Sequence, residues 1–133
     1  MKFDSRRSSP KVILAGILIS LFFGARIVVA DSPFSVYSGN ASKEEEIVFL
    51  DNFAIYLTEH PEMVGYIAYF SSEKRSASRL KKRVNRAVKY LSERRGIDIK
   101  RLIVIYGGRN ERSKVVLQPT PQGAPPPYTS PAN

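Results

Sequence analysis

Apolar residues recur along the chain at two different spacings. In "SKEEEIVFLDNFAIYLTEHPE", Ile47, Leu50, Ala54 and Leu57 fall at i, i+3, i+7 and i+10 with Phe53 alongside, which is the stripe of a helix. Ser42 stands as its N-cap, and Glu44, Glu45 and Glu46 put carboxylates in the first turn, where the helix dipole favours them. Pro61 stops it. A second helical stripe runs through "SSEKRSASRLKKRVNRAVKYLSERRG" as Ala77, Leu80, Val84, Ala87, Val88 and Leu91, with Lys81, Lys82, Arg86, Lys89 and Arg95 mostly off it. Gly96 is placed to end that helix, with Arg94 and Arg95 at its negative end.

Between and around the helices the pattern shortens to strand-sized runs. "PFSVYSGNAS" carries a β-type piece at Phe34, Val36 and Tyr37 that ends in a Ser-Gly-Asn turn. "MVGYIAYF", 63–70, reads as a buried strand, Leu102 to Tyr106 as another, and "SKVVLQP", 113–119, as a last one. "GGRNER" has the length of a hairpin loop between those two, and Asp98 in "GID" reads as turn chemistry. The order is β-α-β-α-β-β. The fold class expected is α+β, with two helices packed on one face of a small mixed sheet. Residues 119–133, "PTPQGAPPPYTSPAN", hold six prolines and read as an extended, disordered tail.

The first thirty residues change the picture. "MKFDSRRSSPK" is a basic leader, followed by "VILAGILISLFFGA", 14 residues without charge, then by Val28 and Ala30 ahead of Asp31. That is the layout of a secretory signal peptide. Arg26 is unusual so near a cleavage site, and an uncleaved anchor is the other reading. Both lead to a chain placed in the periplasm or cell envelope, with residues 31–118 as its one domain.

Charge is 21 Lys and Arg against 12 Asp and Glu, or +9. Twelve basic residues against three acidic ones lie between Glu73 and Arg101, which reads either as a site for an anionic partner or as a well-solvated basic helix face. There is no cysteine, which excludes disulfides, thiolate metal sites and a thiol nucleophile. His60 is the lone histidine and no carboxylate cluster accompanies it, so no metal site or catalytic triad is expected. No phosphate-cradling loop appears either, since Gly107-Gly108 lacks the lysine and the helix that such a loop needs. The expectation is a non-enzymatic protein with no cofactor.

The ordered set "LDNFAIYL" (50–57), "NRAVKYLSERRGID" (85–98), Arg101, "YGG" (106–108) and "VVLQPTPQGAPPP" (115–127) resembles the C-terminal OmpA-like domain of bacterial envelope proteins. More closely, it resembles a divergent branch of short exported OmpA-like proteins of acidobacteria. The resemblance covers roughly residues 34–127 and implies peptidoglycan binding. In the family a helix arginine and an aspartate after the preceding strand grip the diamino acid of the stem peptide, one taking its carboxylate and the other its ammonium. Setting Tyr90-Leu91 on the family's Tyr-Leu puts Arg83 on that arginine. The family's His-Thr-Asp segment is absent, and Ser72 and Glu73 in "FSSEKRSAS" stand near its place.

The expected binding residues for peptidoglycan are therefore Arg83, Glu73 and Ser72. The alternative is an OmpA-like scaffold without wall binding, whose basic helix meets other envelope proteins or an anionic lipid surface. A more remote reading takes the basic charge with Tyr66, Tyr69, Phe70 and Tyr106 as an RNA-stacking surface. Buried strand aromatics and the export leader speak against it, and no nucleic-acid partner is expected.

Overall fold

A computed structural model describes residues 34–131. The leader read from residues 1–30 lies outside the described residues. The unit Pro33–Asn133 is compact by itself and has its own core. Its elements are β1 (Ser35–Ser38), α1 (Lys43–Glu59), β2 (Met63–Ser71), α2 (Lys74–Lys89), β3 (Leu102–Arg109) and β4 (Lys114–Pro121). α2 continues through a π-helical turn at Tyr90–Arg94, and a single 3-10 turn at Ile99–Arg101 leads into β3. The class is α+β, in the order β-α-β-α-β-β, with the helices packed on a four-stranded mixed sheet.

The local signals act as their chemistry requires. Ser42 caps α1 by accepting from the Glu45 N–H. Gly96 follows the π turn with φ of +73°. Asp98 accepts from the Lys100 N–H and starts the turn into β3.

The sheet runs β1-β4-β2-β3. The hairpin expected between the last two strands is absent: β4 passes over and pairs antiparallel with β2 and β1, while β3 pairs parallel with β2. β2 thus lies inside the sheet, bonded on both edges, with Ile67 opposite Leu117 and Val104. β4 also reaches Pro121, three residues into the segment read as tail.

One core fills the space between helices and sheet. α1 contributes Leu50, Phe53, Ala54 and Leu57; α2 contributes Leu80, Val84 and Ala87; Ile67, Tyr69, Val115 and Leu117 rise from the sheet. Ile47, read as part of the α1 stripe, is 41% exposed. The reason is that α1 is apolar on more than one side, with Val48 and Ile55 also facing solvent. Such a helix offers two stripes, and only the one through Leu50, Phe53 and Leu57 meets the sheet.

Gly65 allows that meeting. A Cβ there would stand 2.9 Å from both Leu57 Cδ1 and Phe53 Cζ, so α1 packs against bare β2 backbone. Gly65→Ala is expected to destabilise the domain by about 1–3 kcal/mol through overpacking, read as a lowered urea midpoint at unchanged slope.

Candidate functional site

Arg83 projects from the third turn of α2 towards the turn between β1 and α1. Its Nε donates to Glu46 Oε2 at 2.7 Å, its Nη1 to the Gly39 carbonyl at 2.9 Å and its Nη2 to the Ala41 carbonyl. The guanidinium also lies 5.8 Å from the centroid of the Tyr37 ring. Both members of the Arg83–Glu46 pair are only 14% exposed. The side chain expected to grip a ligand is engaged by its own fold.

The other two expected site residues lie elsewhere. Glu73 is the N-cap of α2, where its backbone N–H donates to the Ser76 hydroxyl at 3.2 Å. Ten residues separate it from Arg83, about 15 Å along the helix axis. Ser72 donates its N–H to the Ser113 hydroxyl at 3.0 Å, and its own hydroxyl lies 3.1 Å from the same oxygen. These residues fasten the start of α2 to the strand β4 that Ser113 precedes. The two halves of the anticipated zwitterion grip are not brought together.

A cleft of about 350 Å³ does open beside Arg83, between the start of α1 and the end of α2. Ile47, Leu50 and Ala87 give it an apolar floor, and Lys43, Arg86 and Tyr90 form its rim. Among the described residues the ion pairs are Arg83–Glu46 and Arg95–Asp51, so Lys43 and Arg86 have no carboxylate partner. Tyr90 donates to Asp51 Oδ1 at 2.6 Å and ties α2 to α1 at this end. That hydrogen bond is the main cause that raises the Tyr90 phenol above its usual range.

The basic face expected of α2 resolves into a single row. At 100° per residue, Arg75, Arg79, Lys82, Arg86 and Lys89 fall within an arc of about 80°. All five are exposed. They form a straight row about 21 Å long, on the side of α2 opposite Leu80, Val84 and Ala87. The spacing of 4, 3, 4 and 3 was present in the sequence as a second, charged stripe.

His60 sits after α1, its Nδ1 2.9 Å from the Tyr56 carbonyl and its ring stacked on the Tyr56 ring at 4.0 Å. Among the described residues no three His, Asp or Glu side chains gather as metal ligands. Nor is any helix among them long and apolar enough to cross a membrane. The chain matches no family model, no curated protein and no solved structure.

One substitution separates a structural Arg83 from a ligand-binding one. Arg83→Ala leaves Glu46 half-enclosed and two carbonyls without their donor, and is expected to cost about 3 kcal/mol in denaturant unfolding. A pure ligand contact would leave stability unchanged.

Tyr37 gives the second test. Its hydroxyl is buried without a hydrogen-bond partner among the described residues. Burial, helped by the nearby Glu46 carboxylate and opposed by Arg83, pushes its ionisation well up. A folded-state value above the unfolded one stabilises fully below about pH 10 and is lost as pH rises past it. Tyr37→Phe should therefore flatten the alkaline fall in stability, and at neutral pH match or exceed the parent by about 1 kcal/mol. Unfolding curves at pH 7 and above pH 10 check both.

Proposed function

We propose that this is an exported, non-catalytic envelope protein whose OmpA-like domain docks on an anionic envelope surface through α2. The observation that carries the reading is the row of Arg75, Arg79, Lys82, Arg86 and Lys89, exposed and without ion pairs among the described residues. Five cations on one face of a rigid helix meet a plane of lipid phosphates together. Each contributes about 1 kcal/mol near such a surface, and salt weakens it. The leader of residues 1–30, with its basic start, uncharged core and small residues before Asp31, supports placement in the envelope.

Peptidoglycan binding is the second reading. The cleft beside Arg83 favours it, because Arg86 and Lys43 there are open to a stem-peptide carboxylate. The internal engagement of Arg83 and the distance to Glu73 weigh against it.

The unit Pro33–Asn133 has its own core and is suited to the test without the leader. It should sediment with phosphatidylglycerol vesicles at low salt, not with phosphatidylcholine vesicles. Replacing Arg75, Arg79 and Lys82, which lie outside the cleft, by Gln should weaken partitioning about a hundredfold, three cations at about 1 kcal/mol each. Equal binding to both vesicle types sinks the surface reading. Retention on purified sacculi that survives the triple substitution would establish the wall-peptide reading instead.

A further inference from the structure

The sheet has two faces, and the helices cover one. Tyr66, Ala68 and Phe70 alternate with the core residues Ile67 and Tyr69 along β2 and point to the other face. Val116 stands opposite Ala68 there. Tyr66, Ala68 and Val116 are nevertheless buried. The proline-rich segment after β4 is the part of the described chain that crosses this face.

Its path is fixed at both ends. Gln122 donates its N–H to the Glu62 carbonyl at 3.0 Å, beside the start of β2. Tyr128 meets Phe70 near the end of β2, edge to face, with ring centroids 5.6 Å apart. The Ala124 N–H donates to the Pro121 carbonyl at 3.1 Å and Gly123 has a φ of +88°, so a tight turn follows β4. Ala124 to Tyr128 then lead from that turn to the Phe70 ring. Pro125, Pro126 and Pro127 favour an extended backbone there.

The far end is built to receive an aromatic ring. β2 and β3 shift register between Tyr69 and Phe70, so that Gly107 has no partner in the ladder. A Cβ on Gly107 would collide with the Phe70 ring, so the bulge and the missing side chain together let that ring lie on β3 backbone. The Lys114 ammonium lies 5.1 Å from the ring centroid, and Tyr128 takes the ring's remaining side. Pro131 ends 3.5 Å from where a Cβ of Gly108 would stand. Burial raises the Tyr128 phenol, in keeping with a ring held against the sheet.

We propose that the outer face of the sheet, centred on Phe70, Gly107 and Lys114, is a binding site for an extended proline- and tyrosine-bearing segment. It is filled in cis by residues 124–131 and open to exchange with the same segment of a second copy. In cis the segment is presented at an effective concentration in the millimolar range, so it masks the site in an isolated chain. Reciprocal exchange between two copies buries the same contacts twice and gives a closed, symmetric pair. The site uses none of the cations of α2 and stands independently of the surface reading above.

A chain ending at Gly123 keeps all of β4 and leaves the site empty. Titrated by fluorescence anisotropy with a labelled peptide of residues 122–133, it should bind saturably at one to one. The full-length Pro33–Asn133 unit should bind the same peptide at least about tenfold more weakly. Tyr128→Ala in the peptide, or Phe70→Ala in the shortened chain, should each weaken binding about tenfold. Far-UV circular dichroism checks folding. Should the shortened chain fail to fold, Tyr128→Ala in the full-length unit releases the tail without deleting it and should bind wild-type peptide more tightly than the parent does. No saturable binding by a folded chain with its tail removed or released overturns the proposal. So does equal binding by the parent and the shortened chain.

Discussion

Two arginines hold α1 at its ends, and the arrangement of the domain depends on them. Arg83 takes the carbonyls of Gly39 and Ala41 just before the helix, together with Glu46 in its first turn. Arg101 takes the carbonyls of Leu57 and His60 at its end, and that of Met63 at the start of β2. Carbonyls at a helix end have no partner within the helix, and leaving one buried and unpaired costs about 1–3 kcal/mol. A guanidinium, with five donors in a fixed plane, can satisfy several at once. α1 needs such fastening because its apolar residues do not single out one face. The clamps, with Gly65 beneath Phe53 and Leu57, select the stripe that packs.

This divides the positive charge of the molecule into two populations. Arg83 and Arg101 are turned inward and act as hydrogen-bond donors whose charge is largely used up by backbone and carboxylate oxygens. The row from Arg75 to Lys89 is turned outward with no such partners among the described residues. A count of +9 says nothing of this division. The oxygens that each donor meets do, and five cations without carboxylate partners among the described residues line one face of α2.

The parts of the fold legible in the sequence were those set by near neighbours. The α2 stripe of Leu80, Val84 and Ala87, the Ser42 cap, the Gly96 helix end and the Asp98 turn each depend on residues within a turn or so of one another. What failed depended on distant ones. Periodicity puts Ile47 in the α1 stripe because it does not choose between the two apolar sides of that helix. A hairpin was expected from the closeness of β3 and β4 in the chain, but the pairing of β4 with β2 is decided by which faces become buried together. At the candidate site, Arg83 is expected to take a ligand carboxylate, yet its partners are mostly backbone carbonyls, which have no signature in sequence. Glu73 looked like a ligand carboxylate and is a helix cap. In the sequence Phe70 is a strand aromatic and Tyr128 part of a proline-rich tail, 58 positions apart, and nothing local signals that their rings meet.

The pairing of β1 with β4 has a consequence for how the domain comes into being. Ser35 to Ser38 align with Leu117 to Lys114, so the first strand of the sheet is held by the last. β2, made early, also waits for β4 to cover one of its edges. A chain emerging from its N-terminus can form α1 and α2 locally, but it cannot close the sheet until nearly all of its residues are free. Until then β2 presents a row of unpaired N–H and C=O groups to whatever is nearby, and only β4 covers that edge.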